Sequence, residues 1–324
     1  MINQESVPMN RSSDELAEFS IHAHIRSTNH LMDSQKVGIP PGDDLGMIRS
    51  PSGQILAGVD QVIIGRHCRI DEDPRAIGRK AMLRCLSDAA AMAARPFASL
   101  ASAALAPDVG HTWATELHEG LRLCGEEFGA PLIGGDLALH SEPGAPGVIS
   151  VTVLASPVLP DDRVITRGNA KPGDYIAVTG KLGGSLNPDG SGRHLDFLPR
   201  INEAIELASL MGENLVAMID VSDGVASESR RILESVTEPI QMRIHAESVP
   251  CNDGCDWRSA IGDGEDYELL MCCRSHPPTS VLGVPVTVIG EIVQSANEKS
   301  EVIVIESGNE IHIDDLGWEH KSQS

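Results

Sequence analysis

Two acids and a hydroxyl interrupt an otherwise apolar run in Ala217-Met218-Ile219-Asp220-Val221-Ser222-Asp223-Gly224-Val225-Ala226. Apolar residues precede them from Leu215 to Ile219 as in a short buried strand, and Val225, Ile232, Leu233 and Val236 follow at helical spacing. The polar cluster therefore belongs to a strand-to-helix turn. A helix start offers unpaired N–H groups and the positive end of its dipole to a phosphate, and carboxylates such as Asp220 and Asp223 suit divalent cations. Ser222 or Asp223 can equally serve as a simple N-cap. That plainer reading leaves Asp220 without a role.

Four earlier acids share the setting. Asp44 closes the turn-rich stretch Val37 to Leu45, whose prolines and glycines hold the backbone in a loop. Asp60 crosses an extended apolar stretch, Gln54 to Ile64, and is followed by Gly65-Arg66-His67. Asp88 lies among small and apolar residues in a helical pattern running from Ala76 to Arg95. Asp136 ends Pro131-Leu132-Ile133-Gly134-Gly135-Asp136, which reads as a strand ending in a glycine turn whose N–H groups can meet a phosphate. Burial penalises each charge unless it is paired or metal-bound. Gathered in one pocket, the six acids would repel one another unless cations held them. Magnesium takes near-octahedral oxygen coordination and bridges phosphates, so the set implies several ions gripping a polyphosphate such as ATP. Calcium loops keep their ligands within one short segment, whereas these acids must be assembled by the fold.

The elements that must assemble them alternate. Helices are expected over Glu15 to Ile25, Thr112 to Phe128 and Asn202 to Met211, the last ended by Gly212. Strands are expected at Leu45 to Ile48, Ile149 to Ala155, Tyr175 to Thr179, Val284 to Ile289 and Val302 to Ile305. Another follows the acidic turn Asp263-Gly264-Glu265-Asp266. Gly180 to Gly192 reads as loop. The alternation predicts an α/β or α+β fold. The length of 324 residues favours two domains. The Pro- and Asp-rich connector near Ser156 to Asp161 sets their boundary, giving a flexible tail 1–14, a first domain 15–158 and a second 159–324.

Composition narrows the partners. A formal charge of −22 and a pI near 4.8 argue against nucleic acid, whose phosphates require a cationic surface. The start lacks the basic-then-apolar order of a secretory signal. The most apolar long region, Ala89 to Ala106, is broken by Arg95 and Pro96, so no membrane span is expected. Seven cysteines, an odd number, point to reduced thiols in the cytoplasm. Cys251, Cys255, Cys272, Cys273 and His276 have a loose spacing for zinc, set against buried or idle thiols. No Walker-type Gly-Lys-Ser/Thr loop is present.

Taken together, a series of motifs resembles the thiamine-monophosphate kinase family, within the wider superfamily of aminoimidazole-ribonucleotide synthetase-like ATP enzymes. They are Gly42-Asp43-Asp44, Asp60 with His67, Leu86-Ser87-Asp88-Ala89-Ala90-Ala91-Met92, Gly134-Gly135-Asp136, Ala170-Lys171-Pro172-Gly173-Asp174, Asp220-Val221-Ser222-Asp223-Gly224 and Gly264-Glu265-Asp266-Tyr267-Glu268-Leu269. The resemblance spans about Glu18 to His320. It implies a two-domain synthetase-like fold, in which N-terminal strands form a barrel across a homodimer interface and a C-terminal α/β domain follows. It implies ATP and several Mg2+ ions, with thiamine monophosphate as the acceptor and thiamine diphosphate as the product. By similarity Asp44, Asp60, Asp88, Asp136, Asp220 and Asp223 are metal ligands, and Gly135, Asp136, Arg167 and Ser222 meet ATP. His67, Glu265 and Trp318 match positions that hold the thiamine phosphate. The chain departs from the family pattern at Gly58 and Val59, where hydroxyl residues are usual, at Leu137 in place of threonine, and at Asp263 in place of glycine. Such departures also suit a synthetase-type enzyme with another acceptor, or a catalytically silent metal- or nucleotide-binding homodimer.

Overall fold

A computed structural model describes residues 18–41, 47–51, 53–296 and 299–318. The tail 1–14 and Asp44 lie outside the described residues. The first half of the chain runs α1 (Glu18–Thr28), β1 (Val37–Ile39), β2 (Met47–Ile48), β3 (Leu56–Ile63), α2 (Pro74–Ala91), β4 (Ala94–Leu105), α3 (His111–Glu127), β5 (Leu132–Leu139) and β6 (Val148–Pro157). The second half runs β7 (Tyr175–Thr179), α4 (Ile201–Met211), β8 (Leu215–Asp220), α5 (Val225–Glu234), β9 (Ile240–His245), α6 (Trp257–Gly262), β10 (Leu269–Cys273), β11 (Ser280–Val281), β12 (Val284–Gln294), β13 (Glu301–Glu306) and β14 (Asn309–His312). The result is the mixed α/β architecture that the alternation predicts.

Period-two patterning builds the first sheet, in the order β3-β6-β4-β5. Ile149, Val151 and Val153 of β6 point to one face and are buried with Ile77, Met82 and Leu83 of α2. Asp73 caps α2 by accepting from Arg75 N, and Pro74 occupies its first position. Helices α2 and α3 cross closely because glycines stand at the crossing. A Cβ on Gly78 would lie 2.2 Å from the Leu117 carbonyl oxygen, and one on Gly120 would lie 2.1 Å from that of Arg75. Val59 and Leu100 are 65% and 38% exposed on the sheet's other face. Within this chain the sheet is open: among the described residues no strand joins β3 to β5.

The second sheet has the order β14-β13-β9-β12-β7-β10-β8, with β11 pairing to β12. Every residue of β8 is buried, because both faces of the sheet are covered. Ala217 and Ile219 join the cluster containing Val225 and Ile232 of α5, whereas Leu215 and Met218 join Ala204, Leu207 and Ala208 of α4. The latter cluster also contains α2 and the first sheet, so one apolar core connects the two sheets.

Three local expectations are corrected. The helix placed over Ala76 to Arg95 ends at Ala91, and Arg95 belongs to β4. Ala93 reverses the chain with φ 53° between the two elements. The glycines before Asp136 make no turn: β5 passes straight through them. A Cβ on Gly135 would lie 2.0 Å from the Ala101 carbonyl oxygen of β4, so the glycine serves close strand approach. Finally β1 forms at the start of the turn-rich stretch Val37 to Leu45 expected to be loop, and β9, α6 and β14 lie in segments for which no element was expected.

Candidate active site

Strand register fixes where the acids point. Asp60 pairs with Val151, which pairs with Ala101, which pairs with Gly135. This row faces α2, because Val151 is buried against it. Arg84 of α2 meets Asp60 with both arms of its guanidinium, Nε to Oδ2 at 2.8 Å and Nη2 to Oδ1 at 3.2 Å. One helical turn beyond Arg84 stands Asp88, and Gly58 of β3 lies beside it, where a Cβ would stand 3.9 Å from Asp88 Cβ and Oδ2. Asp220 ends β8 and is buried, its Oδ2 accepting from the Ser87 hydroxyl at 2.7 Å.

Asp60, Asp88 and Asp220 thus come from β3, α2 and β8 to one place, and they repel one another. Burial first, then Asp220 and Asp60, push the Asp88 carboxyl up to about 8, while Arg167 and Arg84 pull it back. Burial also raises Asp220, against the Ser87 hydrogen bond and the charge of Arg167. Asp220 is buried and Asp60 and Asp88 are half-buried, and this all-oxygen set carries more negative charge than its arginines offset, the donor chemistry that hard cations favour; its oxygens do not all lie within 4.8 Å of one another, so one ion would not touch all three as they stand.

The Ser222-Asp223 turn is held by a residue that the sequence reading missed. Glu228 is fully buried in α5; it accepts from Asp223 N at 3.0 Å and from the Ser222 hydroxyl at 3.4 Å. Burial, then repulsion from Asp220, raises its carboxyl to about 7. Arg231 forks between the two acids, donating to Glu228 at 2.7 and 2.8 Å and to Asp223 Oδ2. Neither Ser222 nor Asp223 is the N-cap of α5; Gly224 is, with no side-chain cap bond. The available signal was position: Glu228 sits three residues after Val225 and four before Ile232, on the apolar face of its helix.

Asp136 is placed differently. It pairs with Ser102, in the row that continues through Ser150 to Gln61, and so faces away from α2 on the opposite side of the sheet from Asp60. Within this chain it does not join Asp60, Asp88 and Asp220. Gly135 does share the Asp60 row, three strand spacings away, about 14 Å. Asp44 lies outside the described residues.

His67, Glu265 and Trp318 stand around the same region. Glu265, with φ 58°, is gripped by two cations from α2: Lys80 Nζ donates to its Oε2 at 2.6 Å and Arg84 Nη1 to its Oε1 at 3.4 Å. Burial alone would raise Glu265, but Lys80 and Arg84 outweigh it and hold the carboxyl down to about 2. Lys80 is wholly buried and spends its other two protons on the His67 carbonyl oxygen at 2.6 Å and His194 Nδ1 at 2.7 Å. His194 therefore carries its own proton on Nε2, facing Gly190 O at 3.1 Å. Tyr267 lies stacked on Phe197 with ring centroids 3.7 Å apart, and its hydroxyl bridges Arg84 and Glu265. His67 Nδ1 accepts from Ile63 N, and burial with the charges of Arg84 and Lys80 lowers its pKa to about 4, so the ring is neutral at pH 7. Trp318 is tied to the acid turn, its backbone N–H donating to Asp223 O at 2.9 Å, and the Arg66 guanidinium sits 4.9 Å over its indole. That contact brings the loop carrying His67 to the rim formed by Trp318.

Elsewhere the zinc spacing is not realised. Cys272 and Cys273 are buried in β10 and point to its two faces, and among the described residues no metal-sized group contains a cysteine. Burial raises the thiol pKa of Cys272, Cys273 and Cys251.

Residues 42–156 match the family described as AIR synthase related protein, N-terminal domain. The thiamine-monophosphate kinase of Rhodopirellula baltica is 32% identical over 299 residues, which cover 85% of this chain and 89% of that one. The crystal structure of thiamine-monophosphate kinase from Stenotrophomonas maltophilia has a TM-score of 0.71 at 24% identity, covering 90% of this chain and 97% of its own. A second structure, AaThiL complexed with AMPPCP and TMP, has a TM-score of 0.68 at 23% identity, covering 97% of this chain and 100% of its own. By sequence identity maintained over nearly the whole length, and by the fold that carries it, the chain belongs to the thiamine-monophosphate kinase family.

Proposed function

We propose that this protein transfers the γ-phosphoryl group of ATP to thiamine monophosphate, giving thiamine diphosphate and ADP. The observation that carries the reading is the convergence of Asp60, Asp88 and Asp220 from separate elements beside Arg167 and Ser87. The relatives' name and the ligands of AaThiL support the choice of substrates.

The acceptor is a phosphate monoester, anionic at neutral pH, so its attack on the γ-phosphorus needs no strong general base. One phosphoryl oxygen of thiamine monophosphate forms the new P–O bond as the bond to the β-phosphate oxygen breaks, and ADP leaves with that oxygen. The barrier is repulsion between two polyanions. Mg2+ bound by Asp44, Asp60, Asp88, Asp220 and Asp223 would neutralise both partners and align them, whereas Asp136, on the opposite face of the first sheet, would join them only from a second copy of the chain. Arg167 adds positive charge beside Asp88 and Asp220, and Ser222 presents a hydroxyl at the start of α5; both suit the triphosphate. His67, Glu265 and Trp318 hold the acceptor. Glu265 stays ionised and fixed by Lys80 and Arg84, which suits the cationic thiazolium, and the half-exposed Trp318 indole offers it a π face.

The same reading divides the chain at residues 158 and 159 and pairs two copies through the first sheet, closing a barrel across the interface. Its open face, with Val59 and Leu100 exposed and Asp136 unengaged by the acid cluster, supports that pairing. The seven free cysteines suit a cytoplasmic enzyme, and among the described residues no helix is long and apolar enough to cross a membrane. Incubation with ATP, Mg2+ and thiamine monophosphate tests the proposal: ADP and thiamine diphosphate should form in equal amounts. ADP without thiamine diphosphate would mean another acceptor, and nucleotide binding without turnover a silent homodimer.

A further inference from the structure

Outside the acid cluster, helices α1 and α3 bring together two imidazoles and a carboxylate. His24 Nε2 of α1 lies 3.0 Å from Glu119 Oε1 of α3, and His118 Nδ1 lies 3.7 Å from that same oxygen. All three ligand atoms lie within 4.8 Å of one another, the one group of metal-ligand spacing among the described residues. The two rings meet edge to face with centroids 5.5 Å apart. His118 Nδ1 is buried and has no hydrogen-bond partner. An orphaned imidazole nitrogen in a buried place is costly unless something binds it.

We propose that His24, His118 and Glu119 form a binding site for a zinc-class transition-metal ion that clasps α1 to α3. Two imidazoles and one carboxylate are a donor set for Zn2+ rather than Mg2+, with a fourth position left for water. Ligand atoms on a tetrahedral zinc stand about 3.3 Å apart, so the site needs only small side-chain rotations. Glu119 is oriented for the task. Its Oε2 accepts from Arg122 Nη2 at 2.7 Å and its Oε1 from Nε at 3.1 Å, while Oε1 faces both rings. Arg122 thus serves as the outer group that fixes a ligating carboxylate. Its charge weakens the site, and His24, 23% exposed against 13% for His118, is the more open of the two imidazoles.

The test uses the whole chain, freed of metal and then titrated with Co2+ and Zn2+ in millimolar Mg2+ to occupy oxygen sites. One equivalent of Co2+ should bind with the visible absorption of a four- or five-coordinate nitrogen and oxygen site, and Zn2+ should displace it. His24→Gln and His118→Gln should each weaken binding by at least about 100-fold, with circular dichroism confirming the fold. Failure of the wild-type chain to bind Zn2+ in the presence of Mg2+ would overturn the proposal whatever the variants do. So would undiminished binding in the His24→Gln/His118→Gln double variant.

Discussion

Lys80 Nζ of α2 stands 2.6 Å from Glu265 Oε2, in the turn before β10, and the lysine is wholly buried. The pair links the first half of the chain to the second at the edge of the acid cluster. Each of the three ammonium protons has an acceptor, which offsets the cost of burying the charge. Lys80→Met should cost about 3 kcal/mol of stability, because Glu265 then keeps only the longer contacts with Arg84 and the Tyr267 hydroxyl. Urea unfolding of Lys80→Met and of the Lys80→Met/Glu265→Gln double variant checks this. The double variant should recover part of the loss, and additive losses would show that the two side chains act independently.

The same pair gives a pH dependence with a definite sign. The Glu265 carboxyl is held at about 2, below its ordinary 4.5. A depressed carboxyl contributes stability that is present above pH 4.5 and lost as pH falls toward 2. The contribution is about 3 kcal/mol for a side chain only one-fifth exposed. The difference between wild type and Glu265→Gln, followed by thermal unfolding, should therefore narrow as the pH drops through that window.

At Asp220, function and stability should move in opposite directions. Asn in this place keeps an acceptor for the Ser87 hydroxyl but removes a buried charge that Asp60 and Asp88 repel. Asp220→Asn should lower turnover by at least about 100-fold while raising the unfolding midpoint in metal-free buffer. Full activity in this variant would remove Asp220 from the phosphate-handling site.

The open face of the first sheet predicts the oligomer. Light scattering should give a homodimer for the wild type and a monomer for Val59→Asp combined with Leu100→Asp, since each side chain would then bury a charge at the interface. A dimer that persists in the double variant would place the interface elsewhere.

The readable parts of this site were acids in the wrong company. Asp60 and Asp220 interrupt apolar strands, and Asp88 interrupts a small-residue helix, so local pattern alone marked them. Lys80 was not readable: it follows Arg79 in a helix, and nothing near it in sequence reveals a carboxylate 185 positions away. Glu228 was overlooked because acids in first helical turns are common, and only its register with Val225 and Ile232 shows that it is buried. Gly134-Gly135 misled because glycine signals both turns and close strand approach; only the neighbouring β4 carbonyl decides between them. The fold class followed from alternation; β9 carries a clean period of two, with Ile240, Met242 and Ile244 buried between Gln241, Arg243 and His245, whereas β14 has one apolar residue in four and shows none.

The central claim concerns where one phosphoryl group goes. Turnover with ATP labelled in its γ-phosphate, Mg2+ and unlabelled thiamine monophosphate measures this directly. The account predicts label in the terminal phosphate of thiamine diphosphate, matched one for one by unlabelled ADP. Label recovered only as inorganic phosphate, with thiamine monophosphate unchanged, would contradict it.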